Sequence, residues 1–527
     1  MKPGWRISFR KDRLLFFVIP VLVAAFFLVV KLRTRFFVGQ NDFWSLLFYA
    51  RHLSWSEKAS LYNGFYPIGY ALLLRFFPYS YVIQLASLTN ALFAGLLGAS
   101  VFGLVWSTRR LGASIFALLL TVLFPLAFQY STYLVPDIGS AALTAWAVFL
   151  LFKSELDNDH PSHSTNWQYG LAGIALGAAS LWRSHAIISS LAIIVVYGLI
   201  HRMPFRRGYA ILLVAFFIVA GIQPIVNLIS GHGAFETAQK FNLYKTFYGI
   251  DWRTPPSVET IQDFSVFRAL MESPHSFISI YFGRLIKLVV YAFVPLLGFF
   301  LVSGKAKKRF AIFATLVIVL YALPVAAGGS PRSPLPLVGI FFGMLGLILA
   351  SLFRVAQSHK NRWLAVVIPA AMGILVILLI GFWAKEDLRF VRKSASTQIS
   401  LQAIQRILTN RGLRSADQMF TDRYDIYLPN VIPYYPRIAG GWDQDWLWGY
   451  KEEYPPLPVQ DSLDTFLGAC VAQGIRFLVL SPDAGRLNDS FLYLYESEVE
   501  WRGTDARLVF VKKVGPLKVF EVLLTPE

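Results

Sequence analysis

Long apolar runs recur along this chain, and they constrain its fold more than any other feature. A helix that crosses a bilayer needs about 20 residues at a rise of 1.5 Å per residue. Charged residues make up only 15% of the chain, against about 25% in soluble domains. We therefore predict an α-helical integral membrane protein with eleven transmembrane helices, near residues 14–31, 81–106, 111–130, 138–152, 168–182, 186–200, 209–229, 281–303, 310–327, 335–353 and 364–384.

The loops between these runs predict the orientation of the chain. Five basic segments fall on one side: "MKPGWRISFRKDR", "STRR", "HRMPFRR", "GKAKKR" and "RVAQSHKNR". Because Lys and Arg mark cytoplasmic loops, this side is predicted to be cytoplasmic, with the N-terminus inside and the C-terminus outside. The acidic loop at 153–167 is the exception. We therefore attribute the net charge of +18 to the Lys and Arg residues of the cytoplasmic loops. We expect no nucleic-acid partner. No small-residue cleavage site follows the first run, which we interpret as an anchor.

Three stretches are predicted to face outward: a first outer loop at 32–80, a second at 231–280, and everything after 385. We divide the chain into a membrane domain at 1–384 and an outer domain at 385–527. In the outer domain, "QMFTD", "IRFLVLS", "RLVFVKK" and "KVFEVLL" are typical of strands, and "DSLDTFLGACVAQG" is typical of a helix. This mixture predicts a small soluble α/β domain whose last two strands form a hairpin. The single cysteine, Cys470, excludes an intramolecular disulfide and a cysteine-based zinc cluster.

Two carboxylates lie at the predicted outer edge of the membrane. Asp42 precedes apolar residues with the spacing of one helical face, which predicts a helix in the outer interface. Asp137 opens the fourth span in "LVPDIGSAAL". Each has the alternative interpretation of a helix N-cap, since Asp is among the preferred cap residues. Together, on one side of the membrane, they predict a site with two acids.

Cations are predicted at the same edge. Arg183 ends the fifth span, Arg284 and Lys287 open the eighth, and Arg332 lies in the short loop "GGSPRSPLPL". Snorkelling to the interface is the alternative for each. Guanidinium groups bind phosphate with two parallel hydrogen bonds, and a carboxylate can accept a proton from an attacking hydroxyl. The combination suits a reaction on a phosphorylated lipid.

The order of these motifs resembles the GT-C glycosyltransferases, in particular the protein O-mannosyltransferases and the lipid A aminoarabinose transferases. The resemblance covers residues 14–384 and rests on the outer Asp42, "LYNGFYPIGYALLLRFFP", "LVPDIGSAAL", "LAGIALGAASLWRSHAI" and "SPRSPLPLVGIFFGML". It implies a GT-C helical bundle and a polyprenyl-phosphate-linked sugar donor. It also implies an inverting transfer to a hydroxyl acceptor, which is a lipid, a glycan or a protein.

The resemblance assigns roles residue by residue. Asp42 and Asp137 are the expected catalytic carboxylates, with Asp42 as the general base or the residue that orients the acceptor. Arg332 is the expected ligand of the donor phosphate, and Arg183 has a less defined role. We add Arg284 and Lys287 as further phosphate ligands, and Tyr66, Pro67 and His52 as residues of the acceptor cavity. No cofactor is required. If a divalent cation binds, Asp42 or Asp137 is its expected ligand.

This sequence departs from the family pattern at four points. Phe43 stands where many relatives have Glu, and Ile68 replaces the second Pro of a Tyr-Pro-Pro turn. Ser333 replaces Tyr in the late motif, and Pro136 replaces Ser before the fourth-span acid. These departures leave the acceptor open. The short loops and the outer tail predict a bacterial inner-membrane protein whose active site and C-terminal domain are periplasmic. Its expected role is in the cell envelope, in lipopolysaccharide or protein glycosylation.

Three other functions remain open from the sequence. A transporter or lipid flippase also has many spans, although transporters usually carry ionisable residues at mid-membrane. An O-antigen polymerase or ligase uses diphosphate-linked donors and relies on a dense cluster of Arg and His that is absent from 231–280. A non-catalytic scaffold for the outer domain is the third. The pair Asp443 and Asp445 has the spacing of nucleotide-sugar sites, but we interpret it as part of a loop.

Overall fold

The computed structural model describes most of the chain. The described residues are 5–39, 42–157, 165–202, 206–249, 257–358, 362–414, 418–422, 437–438, 457, 462–486, 488–497 and 500–524. The pair Asp443 and Asp445 lies outside these ranges.

Helices dominate the chain up to residue 410. In chain order they are α1 Trp5–Arg33, α2 Asp42–His52, α3 Ile68–Arg75, α4 Val82–Trp106, α5 Leu111–Val122, α6 Pro125–Thr132, α7 Asp137–Leu156, α8 Asn166–Trp182, α9 Ala186–Ile200, α10 Arg207–Ala220, α11 Ile222–Ile229, α12 Lys240–Tyr248, α13 Val258–Gln262, α14 Val266–Glu272, α15 Pro274–Leu301, α16 Lys305–Gly328, α17 Val338–Ser358 and α18 Arg362–Asn410.

Each of the eleven predicted spans coincides with one helix or with two consecutive helices. Among the described residues, six helical segments are long and apolar enough to cross a membrane, and a seventh counts if α5 and α6 form one span bent by 60°. α8 and α9 have only 17 and 15 residues. The structure is therefore that of an integral membrane protein, while the count of eleven spans and the orientation stay predictions.

α7 occupies the centre of the membrane domain. Its first half is rich in small residues, "DIGSAALTA", which allow neighbouring helices to approach closely. Ala141, Ala142 and Ala145 pack into a cluster with α1, α4 and α17, whereas Val148 and Leu151 pack into a second cluster with α8, α9 and α16. α7 is therefore fixed by both clusters, and its first residue, Asp137, is buried.

α10 and α15 lie at the periphery. Only 22% of the most apolar window of each segment is buried within the protein, and Val214, Ile218, Val290 and Phe300 are among the exposed side chains. Exposed apolar surface of this extent marks contact with a partner or a membrane. On helices of this length and apolarity, it is the surface that lipid would cover.

The outer domain is a mixed sheet between helical layers. Its strands are β1 Met419–Thr421, β2 Arg437–Ile438, β3 Phe477–Leu480, β4 Trp501–Arg502, β5 Ala506–Val514 and β6 Leu517–Leu524, in the order β2-β1-β3-β6-β5-β4. β1 pairs in parallel with β2 and β3, and β5–β6 is an antiparallel hairpin. The predicted α/β character and hairpin are confirmed. The two further helices are α19 Leu463–Ala472 and α20 Asp489–Ser497.

The two faces of this sheet pack against different helices. Along β3, Phe477 and Val479 join the cluster of Ile404 and Leu408 on α18, while Leu478 and Leu480 pack with α19 and α20. This alternation is the period of two expected of a strand buried on both sides. α18 is one helix of 49 residues, so it runs past residue 384 without a break and ends beneath the sheet. The division into domains at 384 stays a prediction.

Candidate functional site

Asp42 is the first residue of α2, in the first outer loop. The sequence predicts an interfacial helix with one apolar face, but nearly all of α2 is buried, including Phe43, Leu46 and Ala50. α3 from the same loop and Val82 of α4 belong to the same apolar cluster as α2. The expectation of one apolar face is therefore wrong: α2 is buried on nearly all sides, and its acid is fixed in position. The place of α2 at the outer interface stays a prediction.

Asp137 is the first residue of α7, but it does not cap that helix. Pro136 is at the N-cap, and no side-chain capping bond forms. Asn90 on α4 donates to the carbonyl groups of Tyr133 (2.6 Å) and Val135 (3.2 Å), which fixes the chain just before the acid. The N-cap interpretation of Asp137 is therefore wrong, and its carboxylate faces other partners.

Two arginines reach these acids from separate elements. Arg183 follows the last residue of α8 and is its C-cap. Arg332 lies in the loop between α16 and α17. This loop is pinned by the Tyr321 hydroxyl, which donates to the Ser333 carbonyl at 2.7 Å, and by the Ser330 N–H, which donates to the Ser333 hydroxyl at 2.9 Å.

The four side chains form one buried cluster of alternating charge, which we call the charge quartet (Asp42, Asp137, Arg183 and Arg332). Nη1 of Arg332 lies 2.5 Å from Oδ2 of Asp42, and its Nε lies 3.6 Å from Oδ1 of Asp137. Nε of Arg183 lies 3.2 Å from Oδ1 of Asp137, and its Nη1 lies 3.7 Å from Oδ2 of Asp42. Each arginine therefore bridges both acids, and the formal charge of the quartet is zero.

Burial makes these pairs strong. The side chains of the quartet are between 1% and 14% exposed. Charges are rarely buried to this degree unless they are paired, because desolvation is costly and must be offset by attraction at short distance. Sequence reasoning selected all four members, and the structure brings them together although they are up to 290 positions apart.

The protonation states follow from this arrangement. Burial raises the pKa of Asp42, but the charges of Arg332 and then Arg183 outweigh burial, and the pKa lies below its ordinary value of 3.8. The charges of Asp137 and Asp42 outweigh burial at Arg332 and raise its pKa. Burial, with Arg183 and Arg332 nearby, lowers the pKa of His185 well below its ordinary value. Asp42 is therefore ionised at neutral pH, and His185 is neutral.

The other predicted site residues have different positions. Tyr66 belongs to the site, since its hydroxyl donates to Oδ1 of Asp42 at 3.1 Å. Pro67 is the N-cap of α3 and fixes the chain after Tyr66. His52 is at the far end of α2, stacked on Phe48 with a centroid distance of 3.9 Å. It lies ten residues from Asp42, about 15 Å along a helix.

Arg284 and Lys287 make no ion pair with either acid among the described residues. Arg284 instead donates to the hydroxyl of Thr246 on α12 at 3.0 Å. Lys287 is exposed on α15, one residue after the exposed Ile286, which fits snorkelling. Their role as phosphate ligands stays a prediction.

Sequence reasoning missed the residues that hold the Tyr66 segment. The Ile68 N–H donates to Oε1 of Gln223 on α11 at 2.8 Å, and Nε2 of Gln239 donates to the Phe65 carbonyl at 2.6 Å. The Ala238 N–H donates to the Gly64 carbonyl at 2.6 Å. The second outer loop is thereby joined to the segment that carries Tyr66. Isolated glutamines carry no motif, and only tertiary contacts reveal them.

The side chains at this site are poorly suited to binding a metal ion. Among the described residues, no group of three or more His, Cys, Asp and Glu side chains has an arrangement that could hold a metal ion. Asp42 and Asp137 are the available carboxylates, and each lies within 4 Å of two guanidinium groups. A divalent cation would be repelled by both arginines, so the donor set fits a metal poorly.

Comparison with known proteins gives a likeness of fold. The sequence matches no protein-family model and no curated protein. Among solved structures, ArnT from Cupriavidus metallidurans in the apo state is similar with a TM-score of 0.51 and 14% identity, over 95% of this chain and 97% of that chain. ArnT from the same organism bound to undecaprenyl phosphate gives 0.49 and 15%, with the same coverage. The archaeal oligosaccharyltransferase AglB from Archaeoglobus fulgidus gives 0.48 and 11%, over 98% of this chain and 74% of that chain. The predicted resemblance is thus confirmed for the fold: this chain shares the fold of ArnT.

Proposed function

We propose that this protein is an inverting glycosyltransferase. It moves a monosaccharide from a polyprenyl-phosphate donor to a hydroxyl group of a lipid, glycan or protein, on the extracytoplasmic face of the membrane. The observation that carries the proposal is the charge quartet, in which Asp42 and Asp137 are held in one buried site by Arg183 and Arg332. The GT-C fold supports the same class of reaction.

The proposed reaction is a single displacement. The acceptor oxygen attacks the anomeric carbon while the bond from that carbon to the phosphate oxygen breaks. The electron pair of the broken bond stays on the polyprenyl phosphate, and the acceptor proton passes to Asp42. A phosphate leaving group needs no protonation, so one base suffices. Asp137 orients the acceptor or Arg332.

Arg332 is the proposed ligand of the donor phosphate. It bridges both acids, and its guanidinium offers paired donors to phosphate oxygens. Positive charge at this point stabilises the negative charge that develops on the leaving phosphate. Arg183 is in a position to share this role, because it contacts the same two carboxylates.

Donor binding would also activate the base. In the protein alone, Arg332 and Arg183 hold the pKa of Asp42 below its ordinary value. A phosphate that draws Arg332 away from Asp42 removes the largest of these attractions. The pKa of Asp42 then rises, and its carboxylate becomes a stronger proton acceptor when the sugar is in place. The quartet therefore couples substrate binding to catalysis.

We further propose that the reaction needs no divalent cation, since the two guanidinium groups supply the positive charge. The localisation that fits this chemistry is the bacterial inner membrane, with the site and the outer domain in the periplasm. The sugar, the acceptor and the partner proteins are open. Arg284 and Lys287 would contact the donor only farther from the quartet.

A donor assay tests the proposal against its alternatives. Purified protein in lipid nanodiscs is given polyprenyl-phosphate monosaccharides and, in parallel, polyprenyl-diphosphate-linked sugars. We expect release of polyprenyl phosphate from the first group only. Turnover of the diphosphate donors alone would favour a polymerase or ligase. Movement of either lipid from one leaflet of a vesicle bilayer to the other, without bond cleavage, would favour a flippase.

A further inference from the structure

Five buried polar atoms near the start of α7 have no hydrogen-bond partner among the described residues. They are both carboxylate oxygens of Asp137, the hydroxyl oxygens of Tyr70 and Ser140, and the indole nitrogen of Trp182. The contacts between Asp137 and the arginines are ion pairs whose geometry does not make hydrogen bonds. Buried polar groups in folded proteins are nearly always satisfied by protein or by water. A group of unsatisfied atoms in one place therefore indicates a missing partner.

Close packing brings three elements together at this point. A Cβ built on Gly139 would lie 2.4 Å from the Trp182 nitrogen, so the indole lies directly on α7, two residues after Asp137. A Cβ built on Gly69 would lie 2.5 Å from the Leu181 carbonyl oxygen, so α3 lies against the end of α8. Only glycine permits either approach.

Tyr70, Trp182 and Ser140 thereby lie near the first turn of α7, which begins at Asp137. The rings of Tyr70 and Trp182 meet edge to face with a centroid distance of 6.1 Å. Burial and then the charge of Asp137 raise the pKa of Tyr70, which places the phenol within the field of the carboxylate. Ser140 follows Asp137 by three residues, on the same side of α7.

The donors and acceptors of this group are complementary to water. The Trp182 nitrogen only donates, the Asp137 carboxylate only accepts, and the hydroxyls of Tyr70 and Ser140 do both. A cation cannot accept the Trp182 hydrogen and would be repelled by Arg183. An anion would be repelled by Asp137. A water molecule satisfies both kinds of group and needs two to four polar partners.

We propose that one water molecule occupies a closed site formed by Asp137, Tyr70, Ser140 and Trp182. It accepts a hydrogen bond from Trp182 and donates one to Asp137. This water molecule supplies the carboxylate of Asp137 with a hydrogen bond that the arginines do not make. This inference does not depend on the proposed reaction.

X-ray radiolytic footprinting tests the site directly, because radiolysis of a bound water oxidises the side chain beside it. Tyr70 is fully buried, so bulk solvent does not reach it. Tyr49 is a matched control: it is equally buried, and its hydroxyl donates to the carbonyl of Leu61. In full-length protein in nanodiscs, we expect oxidation of Tyr70 at least tenfold faster than that of Tyr49. Equal, slow oxidation of both would overturn the proposal.

A pair of substitutions gives a second test with opposite signs. If water binds the Tyr70 hydroxyl, Tyr70→Phe removes a hydrogen bond and should lower the melting temperature, as we expect for Tyr49→Phe. If the hydroxyl is unpaired, Tyr70→Phe removes an unsatisfied group and raises the melting temperature. A rise for Tyr70→Phe beside a fall for Tyr49→Phe would overturn the proposal. Neither readout requires transferase activity.

Discussion

Removal of the Arg332 charge should destabilise the folded protein, because it leaves two acids in a buried site. Arg332 lies 2.5 Å from Asp42 and 3.6 Å from Asp137, and its side chain is 14% exposed. Loss of one member of a buried ion pair costs about 3–5 kcal/mol, mostly through the charge left behind. We expect Arg332→Met to lower the free energy of unfolding by about this amount. Arg183 still offsets part of the charge, which favours the lower end of the range.

A double-mutant cycle separates this effect from lost packing. In Asp42→Asn/Arg332→Met, a neutral amide replaces the carboxylate that would otherwise be left without Arg332. The double variant should therefore be more stable than the sum of the two single effects implies. We expect a coupling energy of about 2–3 kcal/mol. The assay is reversible unfolding in mixed micelles, followed by circular dichroism. Effects that add to within about 0.5 kcal/mol would refute the reasoning, because independent residues behave in that way.

Three further predictions concern packing, pH and metal ions. Gly139→Ala should lower the free energy of unfolding by about 1–3 kcal/mol, because it forces a methyl group against Trp182. Gly381 has open space around it, so Gly381→Ala should raise the free energy of unfolding by about 0.4–1 kcal/mol. Similar effects of the two substitutions on the melting temperature would contradict this packing. Since the folded pKa of Asp42 is depressed, its contribution to stability is present above pH 3.8 and is lost as pH falls through the lower folded pKa. The acid slope of the melting temperature should therefore flatten in Asp42→Asn, and an unchanged slope would count against the assignment. Chelation by EDTA should leave transfer unchanged, and a loss restored by Mg²⁺ would show that a cation takes part.

The membrane helices were predictable because hydropathy and helix length are local properties. Each predicted apolar run lies on a helix, and the hairpin of β5 and β6 follows from two strand patterns around a turn. The end of the last helix was not predictable from hydropathy. α18 continues from its apolar half into a polar half that packs beneath the sheet, so its length is set by the outer domain and not by membrane thickness.

The members of the charge quartet were predictable, but their geometry was not. Each was selected as a charge at the outer edge of a span, and the same criterion selected Arg284 and Lys287, which have other surroundings. Helix orientation and loop conformation decide between these outcomes, and the position of a charge near a span end reports neither. Arg284 points to Thr246, whereas Arg332 is turned inward by a pinned loop.

The residues around the quartet carry signals too weak to identify before the fold is known. Trp182 precedes Arg183, and Tyr70 follows Tyr66 by four positions, so both could be suspected. Gln223 and Gln239 are ordinary polar residues until their contacts with the Tyr66 segment are seen. Such contacts join parts of the chain more than 150 positions apart, which no local pattern encodes.

The central claim is that the charge quartet is the active site of a glycosyltransferase that uses a lipid-phosphate donor. The most direct test is release of polyprenyl phosphate from a polyprenyl-phosphate monosaccharide by purified protein. Wild type is compared with Asp42→Asn and with Asp263→Asn, an exposed acid of the second outer loop. Loss of a general base costs about 10²–10⁴-fold in rate. We predict such a loss for Asp42→Asn and none for Asp263→Asn, with both variants folded. Full activity of folded Asp42→Asn would contradict the claim.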